Sequence, residues 1–92
     1  MSRTTHDIES LLMAEIAETC PGLGSQLHVD ASLTGDLGLD SLCLTALFGM
    51  VTREIGQVEL SGWFIRASNA GADTIASLAS YLADQTAERR AA

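Results

Sequence analysis

A chain of 92 residues has room for one modest hydrophobic core and is too short for a catalytic domain plus a substrate domain. Its composition, 47% hydrophobic and 18% charged, excludes a disordered polymer, and no apolar run approaches the ~18 to 20 residues that span a bilayer. The net charge of −7 comes from twelve acidic residues against five basic ones, all arginine; it disfavours nucleic acid and anionic membranes and favours a basic or mixed protein surface as partner.

The chain starts Met-Ser-Arg-Thr-Thr-His-Asp with no apolar segment behind it, so no secretory signal is visible and the expected compartment is the cytoplasm. In that compartment Cys20 and Cys43 are expected to be reduced thiols, because their spacing fits neither a zinc site nor a Cys-x-x-C redox motif.

From Thr5 to about Thr19, Ile8, Leu11, Leu12 and Ile16 repeat at helical spacing with acidic residues on the other faces, which predicts an amphipathic first helix. Cys20-Pro21-Gly22 stops it. A loop without regular structure is expected from about Pro21 to Asp40, pinned to the bundle by spaced leucines such as Leu33, Leu37 and Leu39.

The second helix is predicted from Ser41 to about Ile55, with Asp40 as N-cap and Gly56 as C-terminal stop. Leu44, Leu47, Phe48, Val51 and Ile55 form its core stripe, opposite a small, nearly uncharged face of Leu42, Thr45, Ala46, Gly49 and Arg53. A short third helix falls between Ser61 and about Ser68, with Trp63 and Phe64 as core or loop anchors. Asn69-Ala70-Gly71 turns the chain, Asp73 or Thr74 caps a last helix carrying Ile75, Leu78, Ala79 and Leu82, and the tail after Gln85 is expected to fray. The expectation is one all-α domain over residues 1–92, with its core at about 5–85.

Hydrolytic chemistry is poorly supplied. Ser41 lacks the glycines of a nucleophile elbow, and His6 and His28 read as surface residues. Asp30, Ser32, Thr34, Gly35 and Asp36 occupy positions 1, 3, 5, 6 and 7 of a calcium-loop frame, yet position 12 is Ser41 where a bidentate carboxylate is required, so no metal is expected. No Walker loop or dinucleotide fingerprint is present.

Ser41 itself falls at the first helical position, where unpaired backbone N–H groups and the helix dipole favour a phosphate. Asp36, Leu37, Gly38, Asp40, Ser41 and Leu42 match without a gap the Asp-Leu-Gly-x-Asp-Ser-Leu attachment signature, so the chain resembles the acyl and peptidyl carrier protein family over roughly residues 5–85. The resemblance implies an acyl-carrier-protein-like four-helix bundle: three main helices, a short third helix and a long first loop. It implies a non-catalytic carrier, in which a phosphopantetheinyl transferase moves 4′-phosphopantetheine from coenzyme A onto Ser41 and Asp40 assists recognition. The arm's thiol would hold an acyl or aminoacyl thioester and present it to acyl-loading, condensing and acyl-transferring enzymes. Other serines, such as Ser10, Ser77 and Ser80, lie inside helical patterns and are not expected to offer the access that Ser41 does.

The second helix departs from carriers of fatty acid synthesis, which typically present several carboxylates there; this one has only Glu54, beside Arg53. Docking is therefore expected through an apolar patch of Leu42, Ala46, Gly49 and Met50, with weak salt dependence; the alternative is that Leu42 and Met50 pack on the long loop. Cys43 is read as a small apolar side chain on the same helix's flank. The length and the lysine-free, alanine-rich composition fit a discrete, monomeric carrier in polyketide, nonribosomal peptide or lipid-tailed product synthesis. The competing class is an unmodified helical interaction or regulatory module of the same fold.

Overall fold

The computed structural model describes residues 4–91, with side chains through residue 86. Residues 1–3, part of the start in which no secretory signal is visible, and residue 92 lie outside this description.

Helix α1, Thr5–Thr19, opens with a reciprocal capping box. The Thr4 hydroxyl accepts the Asp7 N–H and the Asp7 carboxylate accepts the Thr4 N–H, both at 3.1 Å, so two otherwise unpaired donors are satisfied. The helix buries Ile8, Leu12 and Ile16 and packs against the second and last helices. The expected stop is in place, but the following segment is not irregular: Pro21–Gln26 winds into a 3₁₀ helix packed on α1. Proline at its first position has the φ that such a turn needs and lacks an N–H that would go unpaired there.

Helix α2 spans Ser41–Glu54, α3 spans Ser61–Asn69 and α4 spans Ile75–Ala91. The Thr74 side chain, not that of Asp73, caps α4 by accepting the Ser77 N–H at 3.1 Å. The backbone of α4 stays helical through Ala91, six residues beyond the expected start of fraying. Among the described residues the architecture is a small bundle of four α-helices without strands; its one β-bridge pairs Ser32 with Thr74.

That bridge marks where the long loop is fastened to the bundle. Leu33 N–H donates to the Asp73 carbonyl at 2.8 Å, and Ala76 N–H donates to the Val29 carbonyl at 2.8 Å. Ala31, Leu33, Leu37 and Leu39 are all buried, so the spaced apolar residues do anchor the loop as expected. The core is continuous, uniting these loop residues with Ile8, Leu12, Leu47, Val51, Ile75, Leu78 and Leu82.

The short α3 relies on its neighbours. Its N-terminus has no cap from Leu60; instead the Glu59 carboxylate accepts the Gly62 N–H at 2.8 Å. Trp63 is buried and stacks on Tyr81 of α4 at 5.9 Å, and the Tyr81 hydroxyl donates to the Glu59 carbonyl. Phe64 meets Phe48 of α2 edge-to-face at 5.8 Å. Both aromatics are thus anchors, as their sequence context suggests.

Candidate functional site at the start of α2

Gly38, with φ of 58°, turns the chain into a conformation that a side chain disfavours, and Leu39 then closes back on the loop by donating its N–H to the Leu33 carbonyl. Asp40 follows in extended geometry as the N-cap. Its carboxylate accepts the Cys43 N–H at 2.9 Å while its carbonyl accepts the Leu44 N–H at 2.9 Å. Ser41 is therefore the first helical residue, as expected, and it is exposed. Its hydroxyl has no hydrogen-bond partner among the described residues.

Exposure alone does not single out Ser41. Ser10 and Ser80 are also exposed, which corrects the expectation that serines within helical patterns lack access; Ser77 is half-buried. What distinguishes Ser41 is its position at a capped helix start behind a glycine turn. There the backbone leaves N–H groups unpaired beside an accessible hydroxyl.

The face beside Ser41 partly matches the expected patch. Leu42 is 79% exposed, Gly49 is exposed and Ala46 is half-buried, but Met50 is only 3% exposed and drops out of any docking surface. Met50 lies two helical turns beyond Cys43 on the same flank, and that flank faces α1. Leu42 projects into solvent and Met50 is buried in the common core, so the alternative in which both pack on the loop fails for Leu42.

The larger correction concerns the cysteines. Cys20 and Cys43 are joined by a disulfide, not left as separate thiols. Cys20 caps the C-terminus of α1 and Cys43 sits in the first turn of α2, so helix packing brings together two residues 23 positions apart. Linear spacing suited to zinc or to Cys-x-x-C chemistry carries no information about such a pair.

Asp73 is a site residue that capping logic did not reveal. It is 2% exposed and accepts the Ser32 hydroxyl at 2.9 Å, the Thr34 hydroxyl at 2.6 Å and the Thr34 N–H at 3.1 Å. Burial raises its pKa, but these hydrogen bonds to the carboxylate outweigh burial and hold it below its ordinary value. The same bonds employ the residues of the calcium-like frame: Ser32 and Thr34 serve Asp73, and the Asp36 carboxylate accepts the Ser32 N–H at 2.9 Å. Among the described residues no His, Cys, Asp and Glu side chains cluster as a metal site. His6 and His28 are exposed.

A groove of about 420 Å³ opens between α3 and α4, bordered by Trp63, Arg66, Ala72, Tyr81 and Asp84. No α2 residue borders it. No helix among the described residues is long and apolar enough to cross a membrane. Comparison with models of known families found no match, and comparisons with curated proteins and solved structures found none either.

Proposed function

We propose that this protein is a carrier whose Ser41 accepts 4′-phosphopantetheine and holds an acyl or aminoacyl group as a thioester on the arm. The observation that carries the reading is the position of Ser41: an exposed, unpaired hydroxyl at the first residue of a helix capped by Asp40, within the string from Asp36 to Leu42. A phosphodiester at that oxygen would lie beside the unpaired N–H groups of the first turn, which stabilise its negative charge. The order of elements, with a long pinned loop before the serine and a short helix before the last, suits the acyl-carrier bundle.

In this role the protein performs no bond-making of its own. The transferase directs the Ser41 Oγ at the β-phosphorus of coenzyme A; the Ser41 O–H proton passes to a base on the transferase, the P–O bond to Ser41 forms, the pyrophosphate link breaks, and adenosine 3′,5′-bisphosphate departs. The terminal thiol then forms a thioester, whose good leaving group and acidified α-carbon let partner enzymes condense, reduce or transfer the cargo. Tethering raises the cargo's local concentration at each docked enzyme. The exposed Leu42, with Ala46 and Gly49, offers those partners a small apolar contact.

Incubation with a fluorescent coenzyme A analogue and a broad-specificity phosphopantetheinyl transferase tests the reading. Covalent label on the wild type and none on Ser41→Ala supports it; equal labelling of both, or of neither, overturns it.

A further inference from the structure

Ser41 sits in a short exposed stretch held at both ends. Asp40, Ser41 and Leu42 are exposed, between buried Leu39 and half-buried Cys43. Upstream, the Leu39 N–H donates to the Leu33 carbonyl at 2.9 Å and the Leu33 N–H donates to the Asp73 carbonyl at 2.8 Å, which ties the loop to the approach to α4. Downstream the tie is covalent: Cys43, two residues past Ser41, is bonded to Cys20 at the end of α1. Little else holds the first turn of α2 to the bundle. The Asp40 cap keeps the turn's shape but bonds only within it, Leu44 is partly buried, and the first fully buried side chain is Leu47. Among the described residues, α1 is the only helix whose Cα atoms come within 8 Å of those of α2, and the disulfide lies at the Ser41 end of that seam.

We infer, on the carrier reading of Ser41, that the Cys20–Cys43 disulfide positions this serine for modification and that a small thiol reductant releases the hold and slows the transfer. Both cysteines are half-buried at the edge of the core, within reach of such a thiol without unfolding. In the reduction two external thiols give up two electrons and two protons; the Sγ–Sγ bond breaks, each cysteine ends as a thiol, and the external sulfurs join as a disulfide. The Asp73 tie and the buried core use neither sulfur, so the reduced protein keeps its fold while the first turn of α2 gains freedom. A serine that samples more orientations spends less time in the one the transferase can use.

The test compares oxidised protein with protein held reduced by dithiothreitol, using a fluorescent coenzyme A analogue whose thiol is blocked. Reduction should lower kcat/KM for transfer about fivefold. Backbone amide order parameters should fall at residues 41–44, from about 0.85 toward about 0.6, and stay unchanged at Leu12 and Leu78, a pattern that loss of global stability alone does not produce. The Cys20→Ser/Cys43→Ser double variant should match the reduced protein and be indifferent to dithiothreitol. Equal or faster transfer to the reduced protein, unchanged order parameters, loss of helical circular dichroism on reduction, or a dithiothreitol effect on the double variant overturns the inference and leaves the carrier reading standing. Labelling of neither form overturns both.

Discussion

The Asp73 carboxylate, at the approach to α4, accepts both the hydroxyl and the backbone N–H of Thr34, at 2.6 and 3.1 Å, across 39 positions of sequence. With the Ser32 hydroxyl as a third donor, one buried side chain fastens the loop that leads to Ser41. Asp73→Ala removes the acceptor and leaves partly buried donors unmet, which should cost about 2–4 kcal/mol in urea unfolding.

The same carboxylate sets a pH dependence. Its folded pKa lies below its ordinary value, so the unfolded chain binds the proton first as pH falls. Its contribution is complete above the ordinary carboxylate pKa and is lost as pH drops through the lowered folded value. The stability difference between wild type and Asp73→Asn, measured by urea unfolding across acidic pH, should shrink over that window.

Asp40 acts locally. Replacing it with alanine removes the acceptor of the Cys43 N–H and should destabilise the protein by about 1 kcal/mol, whereas Asp40→Asn should retain most of the cap. Chemical denaturation of the three proteins checks this ordering.

The disulfide closes a loop between residues 23 positions apart, and loop-closure entropy assigns such a bond about 3 kcal/mol. Cys20→Ser and Cys43→Ser should each lose close to that amount, and the double variant should lose no more than either alone. Denaturation midpoints of the three variants give the comparison.

Leu42 projects into solvent and has little to lose in folding. Leu42→Glu should therefore leave stability within about 0.5 kcal/mol of wild type while slowing transfer to Ser41 about tenfold, because it puts a charge into an apolar contact. Transfer rate and thermal denaturation, measured on the same sample, separate the two effects.

Local signals in the sequence carried most of the helical frame. The period of Ile8, Leu12 and Ile16 and the stop at Cys20-Pro21 bounded α1 correctly, and Asp40 before an apolar repeat located Ser41 at the start of α2. The misses depend on which surfaces meet. Met50 belongs to the exposed or buried side only once α1 covers its flank, and Cys20 and Cys43 become a pair only when two helix ends are juxtaposed. Asp73 looked like a helix cap because capping is a local role, whereas its actual partners come from a loop 39 to 41 residues earlier.

The most direct test of the carrier reading is intact-mass and peptide mass spectrometry after incubation with coenzyme A and a broad-specificity phosphopantetheinyl transferase. The account predicts a single phosphopantetheine addition on the peptide containing Ser41. No addition, or an addition that maps to Ser10, Ser77 or Ser80, would contradict it.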